Sequence, residues 1–306
     1  MLKVDALIVA ALQMEYEAAK SIGTKVDGTG VEAWDERDGD SPSPYLIGKY
    51  DLPNRRSLSI ALARPTRMGG GATAPLAASL VERLKPTCLA MCGVCAGNPL
   101  DTALGDVIIS EMVYAYDEGK RTDQGFQGDY RQTMMNDTWV RSAQELKPYH
   151  LPSYGPATAD EAELWLLDLL YRGVDPRRHP ARSRFFPAGM WGPSLRQIQN
   201  RGVITRIGRT IGLTDAGRSK VDESQVFDID PPEHLPFAIH VGPIASGNVV
   251  VKDGLTWDML KANGVRTVLG LEMEAATIGS IAHRLQVPRW VVTKGVMDHA
   301  DPAKDD

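Results

Sequence analysis

Cysteine is scarce in this chain: 306 residues hold three, all between Cys88 and Cys95. Thiols so close together in sequence cannot staple a set of loops, so a disulfide-built fold is excluded and a reducing, cytoplasmic setting is expected. No uninterrupted apolar run approaches the ~18 residues of a membrane-spanning helix. The opening MLKVDALIVAAL has no small-residue cleavage site and leads straight into a strand-like run, so no secretory leader is read. Positive charge is not in excess either. A net charge of −5 argues against nucleic-acid binding by the chain as a whole, and DNA is not an expected partner, although a local basic patch stays open. Repeats and low-complexity tracts are missing. What is present, 43% hydrophobic and 24% charged residues, suits a globular protein of one large or two smaller domains.

In chain order, Val4–Ala11 predicts a buried strand, and Gln13–Lys20, holding Glu15 and Glu17, predicts the start of a helix. The stretch from Asp27 to Ser43 is rich in Gly, Asp, Pro and Ser and reads as a hairpin and loop. Strands are predicted at Tyr45–Tyr50, Ser57–Arg64, Thr87–Gly93 and Asp106–Val113, with a helix at Ala72–Leu84 opened by the glycine turn Pro65–Gly71 and ended by Pro86. Strands alternating with helices point to a doubly wound or similar three-layer α/β fold. The alternation stops after Tyr116 and resumes at Phe237–Ile244. We therefore expect a catalytic domain over 1–117 and 236–306, interrupted by an inserted subdomain at 118–235. Within the insertion, helices at Ala159–Tyr171 and Ser194–Asn200, a hairpin at Val203–Ile207 and Thr210–Leu213, and a helix capped at Thr214-Asp215 predict a winged-helix-like part over about 159–222. Its charge stands apart: eleven Arg/Lys face two acids between Arg172 and Lys220, a net +9 that leaves −14 for the remainder.

Three motifs carry chemical possibilities. Cys88-x3-Cys92-x2-Cys95 has the spacing of an iron–sulfur loop, but two of its thiols fall in a run of strand character, which favours buried small hydrophobes instead. Arg67-Met68-Gly69-Gly70-Gly71 precedes a helix, where backbone N–H groups can approach an anion; the competing reading is tight helix–strand packing, and Arg64 and Arg67 weigh toward the anion. Acids at the ends of apolar elements are the stronger signal. Glu272 and Glu274 open the helix predicted from Met273, Ala276, Ile278, Ile281 and Leu285, which Pro288 ends. Asp298 follows the strand begun by Trp290-Val291-Val292-Thr293, and Glu15 lies just past the first strand. Buried carboxylates are costly unless paired or used. The bland alternatives are helix-dipole charges for the glutamates and a helix cap for the aspartate.

Taken together, these segments resemble the nucleoside phosphorylase/nucleosidase superfamily, and in motif order its methylthioadenosine/S-adenosylhomocysteine nucleosidase branch. The resemblance rests on Ile8–Glu15, Arg67–Gly71, Cys92–Gly97 followed by Leu104–Val107, Ile244–Asn248, Glu272–Ala275 and Asp298, and it spans nearly all of 1–117 and 236–306. It implies a three-layer α/β/α fold around a central mixed sheet, with the α+β insertion as an addition.

By position, the resemblance gives Glu15 the role of general base on water, Glu274 the grip on the ribose hydroxyls, Met273 the packing beneath the sugar, and Asp298 the contact with the purine at N7. Gly93, Val94, Arg64 and Arg67 fall in its substrate-binding turns, and the backbone of Val250-Val251 would meet the base edge. Cleaving an N-glycosidic bond builds positive charge on the sugar and negative charge on the base, so carboxylates belong on the first side and a proton donor on the second. Val94 stands where several relatives carry a phosphate-contacting serine, which favours hydrolysis over phosphorolysis. Met297 stands where a serine usually precedes the purine aspartate, which bears on base selectivity. No metal or cofactor is implied. A purine nucleoside or nucleotide is the implied substrate, and the basic insertion adds ATP- or AMP-like compounds and a defence or signalling role. A phosphorylase, or a nucleoside sensor with a DNA-binding or protein-docking module, is the alternative. A homo-oligomer, dimer or hexamer, is expected. Relatives continue past this aspartate into a long helix, which a sequence ending at Asp306 is expected to lack.

Overall fold

A computed structural model of the chain describes residues 3–23, 29–53, 56–123, 125–227, 233–253, 255–262 and 265–302. The last residues of the chain, and Asp27 and Gly28 of the expected loop, therefore lie outside the described residues. Two compact units emerge: one from 1–98, 106–145 and 239–306, the other from 99–105 and 146–238. The main segment of the second unit, 146–238, is shorter than the expected insertion at 118–235. The helix Asp137–Glu145 groups with the first unit because Trp139, Val140 and Ala143 pack on that unit's core, and Thr133–Met134 pairs with its sheet.

In the first unit, apolar runs between turn residues become β1 (Ala6–Val9), α1 (Gln13–Gly23), β2 (Tyr45–Asp51), β3 (Ser57–Ala63), α2 (Gly70–Leu84), β4 (Cys88–Gly97) and β5 (Val107–Ala115). After the second unit the chain adds β6 (Ile239–Ser246), α3 (Thr256–Ala262), β7 (Gly270–Glu272), α4 (Ala275–Arg284) and β8 (Arg289–Asp298). β1 runs parallel to both β3 and β4, while β2 pairs antiparallel with β3. β4 is parallel to β8 and, at its far end, antiparallel to β7; β7 joins β6, β6 joins β5, and β5 returns to β8. The pairings close into a ring, so the sheet is mixed, as expected.

Alternation decides the layers. Leu7 and Val9 of β1 face a core shared with Leu76 and Leu80 of α2 and with Ile278 and Ile281 of α4. Ile8 faces the other way, toward Ala19 of α1. β4 continues through Gly97, past the expected end at Gly93, because β7 and β8 both supply partners there. The three cysteines are strung along this strand. Burial pushes the Cys88 thiol up to about 11 and the Cys95 thiol up to about 12. Among the described residues no cluster of His, Cys, Asp or Glu could hold a metal ion. α4 ends before Pro288: Gln286 takes φ +52° and the Val287 N–H donates to the Ala282 carbonyl, so the chain has already turned.

The second unit is helical with one hairpin. Thr158 and Glu161 form a capping box that starts the helix Ala159–Tyr171; the helices Trp191–Asn200 and Asp215–Phe227 flank the hairpin Ile204–Ile207 and Thr210–Leu213. Leu166, Leu167, Phe186, Ile198 and Val221 make its core, each large side chain contributing about 1.5–3 kcal/mol by burial. Inside it, Glu163 is ion-paired with Lys220 at 2.7 Å and with Arg201. Among the described residues no helix is long and apolar enough to cross a membrane.

Candidate active site

The first unit holds a cavity of about 200 Å³. Glu15, Glu272, Glu274 and Asp298 all line it, and Met273, Val94, Val250 and Val251 are also part of its wall; among the described residues no lining side chain is basic. The ends of β1, β4, β7 and β8 meet at this cavity, which lies at the carboxyl ends of these strands, where α/β folds gather their ligand-binding groups.

Glu15 sits in the first turn of α1, where a negative charge is favoured. Its side chain curls back so that Oε2 accepts the N–H groups of Ala11 and Leu12, both at 2.8 Å, while Oε1 accepts the N–H of Val94 at 2.8 Å. Three of roughly four acceptor positions are filled, and one is left for a ligand. Gly93 is required here, since a methyl group on its Cα would overlap the Glu15 carboxylate.

Glu272, at the end of β7, is the start support for α4. Its carboxylate accepts the N–H groups of Glu274 (2.9 Å) and Ala275 (2.9 Å) and the Ser246 hydroxyl (2.5 Å), while Ser246 Oγ accepts the Ala276 N–H. The glycine turn docks on the same helix start. Gly69, at φ +97°, donates its N–H to Glu274 Oε1 at 2.5 Å, and Gly70 lies so close to Thr277 that no side chain fits. That turn serves close packing and Glu274. Neither Arg64, whose guanidinium donates to the Pro65 carbonyl, nor the exposed Arg67 lines the cavity.

The residue that sequence reasoning passed over is Lys294, in the middle of β8 and 1% exposed. Its Nζ lies 3.1 Å from Glu272 Oε2 and 3.8 Å from Glu274 Oε2. Burial alone would lower its pKa, but Glu272, Glu274 and Glu15 outweigh that and hold it raised. Glu272 feels the converse: burial raises its pKa, yet Lys294, Ser246 and two backbone N–H groups leave it lowered and ionised. Glu274 has the weaker share of the lysine. Burial and the Glu272 charge push it up to about 7, so it exchanges its proton near neutrality. A lysine inside the apolar strand Val291–Val296 was itself the signal, because a buried ammonium demands acidic partners.

Asp298 ends β8 and accepts the Ala300 N–H at 2.8 Å. Met297 beside it is half exposed and lines the cavity, as does Met68 from the glycine turn. Val249 and Val250 are 65% and 55% exposed and form its rim. The cavity thus presents acids on several sides and thioether and aliphatic surface between them. Such a site stabilises positive charge on a bound apolar molecule, and its described wall offers no cationic side chain to meet a phosphate.

No family model and no curated protein matches the sequence. Solved structures do match in fold. A 5'-methylthioadenosine/S-adenosylhomocysteine nucleosidase from Neisseria meningitidis, in complex with methylthio-immucillin-A, superposes with a TM-score of 0.53 at 14% identity, over 97% of this chain and 87% of that one. The MTA/SAH nucleosidase of Streptococcus pneumoniae in complex with 8-aminoadenine gives 0.55 at 16% identity, over 97% and 87%. The S-adenosylhomocysteine nucleosidase of Streptococcus pyogenes in complex with 5-methylthiotubericidin gives 0.54 at 15%, over 99% and 86%. The chain therefore has the nucleoside phosphorylase/nucleosidase fold.

Proposed function

We propose that this protein hydrolyses the N-glycosidic bond of a purine nucleoside, releasing free base and sugar. The observation that carries the reading is the gathering of Glu15, Glu274 and Asp298 in one cavity whose described wall holds no basic side chain. As the bond to the base breaks, positive charge grows on the sugar, and Glu15 and Glu274 face it. Glu15, with one acceptor position open, takes a proton from the water that adds to the anomeric carbon. Glu274 accepts from the ribose hydroxyls once it is ionised, and Met273 packs beneath the sugar. The bonding electron pair leaves with the purine, and Asp298 contributes a proton on that side.

The same wall weighs against the two relatives of this reaction. Phosphorolysis would be favoured by a cation that holds inorganic phosphate, and the candidates Arg64 and Arg67 lie outside the lining. ATP- and AMP-like substrates would bring further negative charge to a cavity already lined by four carboxylates. A nucleoside without phosphates is the better substrate, and the fold of the superposed nucleosidases supports the same class.

The test incubates the protein with adenosine, methylthioadenosine, AMP and ATP, with and without phosphate, and follows free base by chromatography. Base release from the nucleosides without phosphate is expected, and Asp298→Asn should reduce it by about 10²-fold or more. Release that depends on phosphate would replace hydrolysis by phosphorolysis, and no release from any of the four compounds would overturn the reading. Sedimentation of the same sample tests the proposed dimer or hexamer.

A further inference from the structure

Within the second unit the segment from Arg172 to Lys220 carries a net charge of +9, and eight of its eleven basic side chains fall into two sets. Arg172 pairs with Asp168 at 3.1 Å, and Arg201 and Lys220 both reach the buried Glu163, so these three serve the packing of the unit. The other set collects around the hairpin Ile204–Ile207 and Thr210–Leu213. Arg177 Nη1 donates to the Arg209 carbonyl at 3.3 Å, and Arg182 Nη1 donates to the Arg177 carbonyl at 3.1 Å. Arg206 Nε donates to the Gly208 carbonyl in the hairpin turn at 2.9 Å, and Arg178 adjoins Arg177. All five are exposed. Asp175 occupies Arg177 at 2.8 Å, whereas Arg178, Arg182, Arg206 and Arg209 form no ion pair among the described residues.

Folding does not explain this second set. Apart from the pairing of Arg177 with Asp175, the hydrogen bonds of these arginines run to main-chain carbonyls, which do not neutralise a guanidinium charge. We propose that the arginine cluster at the hairpin binds the phosphodiester backbone of a nucleic acid. Guanidinium groups meet phosphates with paired N–H donors, and a polymer offers phosphates at regular intervals, matching several exposed cations on one hairpin and its neighbouring turn. A single small phosphate would instead need convergent buried donors. Between Arg206 and Arg209 the hairpin end projects Ile207, 60% exposed, and a two-stranded ribbon is narrow enough to enter a groove. An acidic protein surface fits less well, because exposed ion pairs contribute little each.

Fluorescence anisotropy with labelled DNA and RNA duplexes of about 20 base pairs tests the proposal and distinguishes the two polymers. Four phosphate contacts give a slope of about −3.6 in log affinity against log salt, so binding to the preferred duplex should fall about 10²-fold between 50 and 200 mM salt. The double substitution Arg206→Glu/Arg209→Glu should weaken binding at 50 mM salt by at least about 10-fold while leaving the melting curve and base release unchanged. Absence of binding to either duplex at 50 mM salt would overturn the proposal. So would equal affinity in wild type and variant, or binding confined to polyglutamate or anionic vesicles.

Discussion

Replacing Lys294 by methionine tests the electrostatic reading of the site most directly, because methionine keeps much of the volume and removes the charge. Glu272 and Glu274, both less than 10% exposed, then share a dry site without their counter-ion, and Glu15 loses a nearby cation. Removing one partner of a buried ion pair costs about 3–5 kcal/mol. For a unit of this size that corresponds to roughly 10 °C in melting temperature. The sign with pH follows from the shifts. The lowered pKa of Glu272 contributes stability that is present above the ordinary carboxylate range and lost as pH falls through its folded value. Glu274, raised to about 7, favours folding below the carboxylate range, and that contribution is lost as pH rises through about 7. Without Lys294 both folded-state values move up, so the deficit should be large at pH 8 and shrink toward pH 5 as the carboxylates take up protons. Melting followed by circular dichroism at both pH values measures this. A variant that melts within ~2 °C of wild type at pH 8, or with the same deficit at both pH values, would refute the buried counter-ion.

Gly93→Ala should displace the Glu15 carboxylate, and a shift of about 1 Å at a catalytic group costs roughly 10²-fold; steady-state assays with near-normal melting are the check. The kcat/KM of base release should rise with pH through about 7 as Glu274 ionises, and Glu274→Gln should remove that limb along with most activity. In the second unit, Glu163→Gln should lower the melting temperature by an amount equivalent to about 1–2 kcal/mol, less than a fully buried pair because Lys220 and Arg201 are partly exposed.

Much of the α/β framework was legible in the chain because its strands are short apolar runs bounded by glycine and proline, and burial on both faces leaves few other ways to use such runs. That Glu15, Glu274 and Asp298 are candidates for one site was legible for a related reason: each is an acid at the end of an apolar element, where pairing or chemistry makes it tolerable, and the three line one cavity. The boundary near 145 was not legible. Trp139 and Val140 are spaced as any amphipathic helix would be, and periodicity does not say which of two cores receives them.

Composition and pattern alone determined the fold class, the acids at the ends of apolar elements and the excess of positive charge between Arg172 and Lys220. Tertiary structure decided which charges meet. The ammonium of Lys294 stands 20 or more residues from its partners at Glu272 and Glu274, and Glu15 reaches Val94 across 79 positions of sequence. Arg64 and Arg67 adjoin the glycine turn in sequence yet lie outside the cavity. A hydrophobic pattern is a local property of the chain, whereas an electrostatic partnership depends on distance in space and on the water that burial removes.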